Sequence, residues 1–318
     1  MSLETDLLID RRQLRRKLSV WRVLAFIFLA VALIAVFFAS AGKMQLQHQA
    51  AHIARIKVAG FIGDQTANLK LFDSITSSGA KAVIVEIDSP GGSTSGGESL
   101  YTGLRKLSGK LPTIAVIDGL GASAAYMAAI GTDRIVAKRT SLVGSIGVLI
   151  QFPNVSKLLD TIGVKLEEIK SSPLKAAPNG MEPTSPEARA AIAAVIDDTY
   201  AWFKGLVKER RGYDDAALAT VSDGRIFTGQ QALNLKLIDA LGDESDAIAW
   251  LNKEKSVAKD LPVQDWEKPS DSSGFPFARS ALATVADAIG ASSLAQMLRS
   301  DPAGNAGTLD GLVSVWHP

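Results

Sequence analysis

Residues Ile117–Ile130 read IDGLGASAAYMAAI. The stretch leaves an apolar β-type run, turns at Gly119 and Gly121, and continues into a small-residue segment that favours a helix. A serine at such a turn, here Ser123, stands clear of the sheet, and the N–H of Ala124 then lies at a helix N-terminus. This pattern predicts a nucleophile beside an oxyanion hole. The alternative interpretation is an N-cap serine on a buried Ala-rich helix.

Alternating strand and helix patterns surround this stretch from residue 53 onward. Nearly continuous apolar runs separated by helices predict an α/β fold with a parallel sheet covered on both faces. The predicted strands are Ile53–Val58, Ala82–Ile87, Thr113–Ile117, Arg134–Ala137, Val148–Phe152, Val164–Ile169 and a strand-like Leu237–Asp239. The predicted helices are Asn68–Ser78, Ser95–Leu107, Ser123–Ile130, Asn154–Ile162, Pro186–Arg211, Asp214–Val221 and a last one ending near Lys255, while Ser171–Pro186 is predicted as a loop.

The N-terminal region differs in composition from the rest of the chain. Residues 23–41 are 19 positions without a charge, which as a helix span about 28 Å and match a bilayer core of about 30 Å. Basic residues precede this run, so we expect a single membrane helix with its N-terminus in the cytoplasm and the following domain outside. The expected organisation is 1–22 cytoplasmic, 23–41 anchor, 42–52 spacer, 53–255 α/β domain, and 256–318 linker and tail with a possible amphipathic helix at 278–298.

Composition excludes several kinds of chemistry. The formal charge of +1 gives no field for nucleic acid, and the absence of cysteine rules out thiolate nucleophiles, thiolate metal sites and disulfides. Of the three histidines, His48 and His52 lie just after the first apolar stretch, and His317 is the penultimate residue. A serine enzyme built on this chain is therefore expected to use a base other than histidine. We expect no metal and no cofactor.

A second turn follows the apolar run Ala82–Ile87 and reads DSPGGS, Asp88–Ser93. Two glycines at the end of a strand allow the backbone to approach a ligand and to offer N–H groups there. Ends of successive parallel strands lie side by side, so Gly91 is predicted to supply an oxyanion donor next to Ser123. The alternative is an ordinary turn between a strand and a helix.

Four motifs in order, DSPGGS, GASAAYMAAIGTDRIVA, SLVGSIGV and DGRIFTGQQALNLKLIDALG, resemble the bacterial signal peptide peptidase A family of membrane-anchored serine peptidases. The resemblance implies the layered fold of the Clp protease and crotonase superfamily and a Ser-Lys dyad. It implies Ser123 as nucleophile, Lys175 as general base and Ser145 as the residue that orients the lysine. Ala124-Ala125 stand where many members have Gly-Gly, which narrows the expected pocket but keeps the backbone donor.

The residues alone do not choose Lys175 over Lys157, Lys165 or Lys170; the resemblance does. It further implies peptide substrates such as signal peptides, and a homo-oligomeric ring whose sites combine serine and lysine from neighbouring subunits. Two rival functions remain open at this point: an acyl-CoA-handling enzyme of the same superfamily, and a catalytically inactive membrane scaffold.

Overall fold

The computed structural model describes residues 48–267, the backbone of Val313–Val315, and the single positions Trp21 and Phe28. Within these residues, no helix combines the length and the apolar character needed to cross a bilayer. The predicted anchor, 23–41, and the predicted amphipathic helix, 278–298, fall outside the described residues, apart from Phe28.

From residue 51 onward, strands and helices alternate along the chain. The strands are β1 (His52–Ile62), β2 (Ala80–Ser93), β3 (Thr113–Ala122), β4 (Arg134–Ala137), β5 (Leu142–Gly144), β6 (Ile226–Thr228), β7 (Ala240–Leu241), β8 (Val263–Asp265) and β9 (Val313–Val315). The helices are α1 (Thr66–Thr76), α2 (Thr94–Ser108), α3 (Ala124–Ile130), α4 (Ser156–Thr161), α5 (Pro186–Arg211), α6 (Asp215–Val221), α7 (Gly229–Asn234) and α8 (Glu244–Lys255).

The described strands form one sheet whose main order is β6-β5-β3-β2-β1-β8, with β4 pairing β3 and β7, and β9 pairing β2. Pairs β1–β2, β2–β3, β3–β4 and β1–β8 are parallel, whereas β5–β6 and β2–β9 are antiparallel. The prediction of an α/β fold built on a parallel sheet is confirmed. The finer expectation of Clp or crotonase layering remains a prediction.

Strand β2 shows why this sheet is covered on both faces. Its residues Val83, Val85 and Ile87 pack in a core with α1, α2 and α3, whereas the alternate residues Ala82 and Ile84 pack in a second core with α8. All five are fully buried. Because successive side chains of a strand point to opposite faces, these positions of β2 are apolar on both faces where helices cover the sheet.

Helix α3 lies deep in the first core, and all seven of its residues are buried. Its small side chains let α2 come close: a Cβ added at Gly97 would lie 2.7 Å from Met127 Sδ and 3.0 Å from Ala124 Cβ. On the far side, the Tyr126 hydroxyl donates to the Leu237 carbonyl at 2.8 Å. Burial raises the pKa of Tyr126, so this hydroxyl keeps its proton and the bond.

Three predicted strands are wrong. Val148–Phe152 holds only an isolated bridge at Leu149, Val164–Ile169 forms no strand, and the strand-like stretch near 237–239 is replaced by the short β7 that follows it. The strand in the first of these regions is β5, which begins at Leu142 and ends in the glycine link. Strand β8 lies inside the stretch expected to be a linker, and it extends the sheet by pairing with β1.

Candidate active site

Ser123 occupies the junction between β3 and α3 in a conformation that serine rarely adopts, with φ 60° and ψ −119°. Such a backbone costs about 1–3 kcal/mol and persists only where its surroundings enforce it. Two bonds do so: its N–H donates to the Gly144 carbonyl at 2.8 Å, and its carbonyl accepts from Met127 N at 3.0 Å. Although Ser123 is the N-cap residue, its hydroxyl caps no helix N–H. The N-cap alternative therefore does not explain this serine.

Ser145 is brought beside Ser123 by the pairing of β5 with β3. Ala122 lies opposite Gly144, and Ser145 follows at once, largely buried, with φ 51°. Its N–H donates to the Arg225 carbonyl at 2.8 Å. The structure thus brings together two of the predicted site residues, although the short strand that joins them was absent from the predicted elements.

Gly91 lies where β2 leaves its regular course, with φ 105°. Its N–H donates to Ser89 Oγ at 3.1 Å, and the Ser89 hydroxyl in turn donates to the Gly60 carbonyl at 2.6 Å. The predicted oxyanion donor is therefore held by a buried hydroxyl within its own turn. The sequence analysis missed Ser89, although a serine before Pro-Gly-Gly is a recognisable source of such a turn bond.

Asp88 connects the two turns that carry the site. Its Oδ1 accepts from Leu120 N at 3.0 Å, across the gap between the ends of β2 and β3. A Cβ added at Gly119 would lie 2.8 Å from that same oxygen, so the glycine makes room for the carboxylate. This contact fixes the Gly91 turn relative to the strand that leads to Ser123, and nothing in the pattern of the sequence had singled out Asp88.

Ala124 and Ala125 are fully buried at the start of α3. The Ala124 methyl group fills space against α2, where Gly97 leaves room for it. Replacement of the expected Gly-Gly by Ala-Ala is thus accommodated by packing on the helix side.

Lys175 lies in the predicted loop, in a turn where its N–H donates to the Ser172 carbonyl at 3.1 Å. Its side chain is exposed. Among the described residues, no hydrogen bond or ion pair joins Lys175 to Ser123 or Ser145. The structure therefore brings the two serines together, and the role of Lys175 as the base stays a prediction.

The rival lysine Lys170 has a defined role of a different kind. Its ammonium pairs with Glu168 and lies 3.6 Å from Glu182. The hydrogen bond to Glu168 raises the pKa of Lys170, which keeps it protonated. A protonated lysine cannot accept the serine proton, so Lys170 is a poor candidate for the base.

Other features of the described residues do not compete with this site. No group of three or more His, Cys, Asp or Glu side chains in residues 48–267 is arranged to hold a metal ion. A surface cleft of about 480 Å³ lies between α1 and α2, lined by residues of those two helices such as Leu69, Phe72 and Glu98. None of the predicted catalytic residues lines it, so we give it no part in the chemistry.

Comparison with known sequences decides the family. The sequence profile of Peptidase family S49 matches residues 105–258, a range that contains Ser123, Ser145 and Lys175. The Synechocystis protein named "Putative protease slr0021" is 38% identical over 200 residues, which cover 62% of this chain and 72% of that protein. The chain belongs to peptidase family S49.

A second curated relative and a solved structure also resemble this chain. The Enterococcus faecium protein named "Putative signal peptide peptidase SppA" is 32% identical over 196 residues, 61% of this chain and 56% of its own length. Among solved structures, a mutant of the "1510-N membrane-bound stomatin-specific protease" is 17% identical, with a TM-score of 0.43 over 70% of this chain and 99% of its own. Membership of family S49 supports a serine protease, and the resemblance stated from the motifs is confirmed.

Proposed function

We propose that this S49 chain is a membrane-anchored serine endopeptidase in which Ser123 is the nucleophile and Lys175 the general base. The observation that carries the proposal is the backbone of Ser123, which is held in a strained conformation at a strand–helix junction. Nucleophile serines of the strand–turn–helix type have this arrangement because the turn presents the hydroxyl at the end of the sheet. The family assignment supports the same reading.

The proposed reaction proceeds through an acyl-enzyme. Neutral Lys175 takes the proton of the Ser123 hydroxyl as the oxygen attacks a peptide carbonyl, and the lysine then gives that proton to the leaving amine. Water attacks the resulting ester, and the acid product leaves. The N–H groups of Ala124 and Gly91 are proposed to hold the oxyanion. For Gly91 this requires its N–H to turn from Ser89 Oγ to the substrate oxygen, a shift that the flexible backbone of glycine permits.

The exposed position of Lys175 supports a site completed by a neighbouring subunit. A lysine acts as a base only in its neutral form, and burial away from water is what favours that form. The turn that carries Lys175 offers no such burial within the described part of one chain. We therefore propose a homo-oligomeric ring in which Lys175 of one subunit serves Ser123 of the next, through a heterologous interface.

Residues 1–41 support the proposed location. The basic segment followed by 19 uncharged residues is typical of a single-pass anchor with a cytoplasmic N-terminus. We propose that the peptidase domain faces the extracytoplasmic side of the inner membrane and degrades peptides there, such as cleaved signal peptides. Protease added to sealed spheroplasts should digest the domain after His52 and spare residues 1–18; protection of the domain would contradict this orientation.

A serine-reactive fluorophosphonate tests the nucleophile directly. We expect the wild-type protein to be labelled and the Ser123→Ala variant to remain unlabelled. The Ser145→Ala variant, which removes the neighbouring buried hydroxyl, is the matched control and should still be labelled. Persistent labelling of Ser123→Ala would place the reactive serine elsewhere, and no labelling of the wild type would favour the inactive scaffold.

Mixed oligomers test the shared site. Subunits carrying Ser123→Ala are co-assembled with an equal amount of subunits carrying Lys175→Ala. If each site combines two subunits, half of the serines and half of the lysines are intact, and about a quarter of the wild-type activity should return. If both residues come from one chain, every site lacks one group and mixing restores nothing.

A further inference from the structure

The C-terminal end of α3 is held by two arginines that the predicted active site does not account for. Arg210 donates from Nε to the Ile130 carbonyl and from Nη2 to the Thr132 carbonyl, both at 2.9 Å. Arg105 donates from Nη1 to the Gly131 carbonyl at 3.3 Å. Three successive carbonyls, where α3 ends and the chain turns towards β4, therefore each accept a hydrogen bond from a guanidinium group.

These bonds are not the ordinary end caps of the helices that carry the arginines. Arg105 and Arg210 lie in the last turns of α2 and α5, where a basic side chain commonly bonds the carbonyls of its own helix. Here each side chain reaches the end of a different helix instead. Burial and the charge of Arg105 lower the pKa of Arg210. The surroundings thus disfavour the charge of Arg210, and what favours its placement is the pair of carbonyl bonds.

The turn that accepts these bonds is also tied to the beginning of β3. Asp133 Oδ2 accepts from the Thr113 N–H at 2.9 Å and from the Thr113 hydroxyl at 3.2 Å. Arg105 Nη1 lies 3.9 Å from Asp133 Oδ1. Since β3 leads to Ser123 and α3 follows that serine, the part of the chain that carries Ser123 is joined to itself at its two ends.

Helix α3 is short, so a displacement of one end reaches the other. Its seven residues span about 10 Å, and the Met127 N–H joins its first turn to the Ser123 carbonyl. Contacts with Gly97 and the bond of the Tyr126 hydroxyl restrain the helix from the side, whereas the two arginines hold it at the end. A shift of that end along the helix axis would displace the N–H of Ala124, the proposed oxyanion donor.

We propose that Arg210 and Arg105 are positioning residues of the peptidase, which hold the end of α3 so that the Ala124 N–H meets the oxyanion. The proposal rests on the proposed function of Ser123 as the nucleophile. Both arginines lie at the end of α3 opposite Ser123, so they act through the helix. The oxyanion forms only in the transition state, so loss of alignment slows the chemical step and leaves substrate binding unchanged. The expected loss in kcat is about tenfold, less than the roughly 10²–10³-fold lost with a whole oxyanion donor.

Kinetics expressed per active site test this role in the full-length protein. Fluorophosphonate labelling carried to completion counts the folded sites, and peptide hydrolysis is divided by that count. Arg210→Met should lower kcat per labelled serine about tenfold, leave KM unchanged and slow the labelling, because the reagent's phosphoryl oxygen needs the same N–H group. Arg105→Met removes one longer bond and should lower kcat about two- to threefold. Arg210→Lys keeps the positive charge without the planar pair of donors and should recover only a small part of the loss.

Arg211→Met is the matched control for Arg210→Met. Arg211, the next residue of α5, donates to the Lys236 carbonyl at 2.7 Å and to Asp239 at 2.9 Å, so its variant loses similar bonds outside α3. It should lower the unfolding temperature about as much as Arg210→Met does, while its kcat per labelled serine stays at the wild-type value.

Three results would overturn the positioning role. They are a wild-type kcat per labelled serine in Arg210→Met, full recovery of kcat in Arg210→Lys, and an equal loss of kcat in Arg211→Met. Absence of labelling in the wild type would instead refute the peptidase, so the two proposals fail in different measurements.

Discussion

The surroundings of Ser123 and those of Lys175 are opposites. Every residue of α3, the helix that follows Ser123, is buried, whereas none of α4, in the segment 148–186 that carries Lys175, is buried. Around the serine, backbone bonds and close glycine contacts fix the position of each group. Around the lysine, large apolar side chains face solvent, and Ile169 is fully exposed.

This difference indicates that Ser123 and Lys175, the two residues of the proposed dyad, are positioned in different ways. The backbone of Ser123, the proposed nucleophile, is held by hydrogen bonds to Gly144 and Met127 of the same chain. The segment 148–186 exposes several large apolar side chains, and we propose that a second subunit covers them. Apolar cover from a second subunit would both bury these side chains and desolvate the base.

The largest expected effect comes from removing either reactive group. Ser123→Ala and Lys175→Ala should each lower kcat by at least about 10³-fold, and the double variant should be no worse, because the two groups act as a unit. Peptide hydrolysis of the assembled protein measures this loss. In the isolated subunit, Lys175→Ala should leave the unfolding temperature unchanged, since its side chain is exposed there.

The matched control for Lys175 is Lys170→Ala. Lys170 is held by Glu168 and Glu182, so its removal should leave most activity in place. Near-normal activity in Lys175→Ala together with strong loss in Lys170→Ala would reverse the assignment of the base.

A second test disturbs the buried surroundings of Ser123, at the contact between α2 and α3. Gly97→Ala should destabilise the fold by about 1–3 kcal/mol, the usual cost of overpacking a core, because the new methyl meets Met127 and Ala124. It should also lower kcat by displacing α3 from the Gly91 turn. Gly205→Ala in α5 is the control: nothing lies within 4 Å of its added Cβ, and alanine should stabilise the helix by about 0.5–1 kcal/mol. Denaturant unfolding measures both, and equal stabilities would contradict the close helix contact.

A third test changes exposed apolar side chains of the segment 148–186, which carries Lys175. Ile162→Ser combined with Ile169→Ser should change the stability of the single chain by less than about 0.5 kcal/mol, because both side chains are exposed. The same pair should shift the protein towards smaller species in sedimentation and lower its activity in proportion. Leu69→Ser, an exposed leucine of α1 outside this segment, is the control. Unchanged oligomer size would show that the apolar surface serves another purpose.

The smallest expected effect concerns the edge of the sheet. Arg55 on β1 donates to Asp265 on β8 at 2.6 and 2.9 Å, and this hydrogen bonding lowers the pKa of Asp265. A lowered carboxyl pKa stabilises the fold above the unfolded value of 3.8, and that contribution is lost as the pH falls through the folded value.

Arg55→Met should therefore cost roughly 0.5–1 kcal/mol at pH 7, a magnitude limited by solvent because the Asp265 side chain is half exposed. The difference from the wild type should shrink as the pH falls below about 4. Lys106→Met, which breaks a pair between two well-exposed side chains, is the control and should have almost no effect. A deficit of Arg55→Met that grows in acid would contradict the sign.

The local sequence pattern predicted the central strands and helices because each is an unbroken run of apolar or small residues. β2, β3 and α3 are long apolar or small-residue runs, and each begins within about two residues of its prediction, as expected for elements that are buried along their length. Val164–Ile169 (VKLEEI) mixes apolar with charged residues and forms no strand, because a strand needs a neighbouring strand edge and none of the described strands pairs with this segment. The amino-acid composition of a segment does not show whether the fold provides a strand edge with which the segment can pair.

The sequence by itself determined the nucleophile candidate, the parallel sheet and the family, since the turn residues, the apolar runs and the motifs lie close together in the chain. Tertiary structure alone decided that Ser145 adjoins Ser123 and that β9 pairs with β2. Each of these depends on backbone bonds between strands that are distant in sequence. Pairing of that kind leaves no local periodicity, because any exposed edge can accept any extended chain of suitable register.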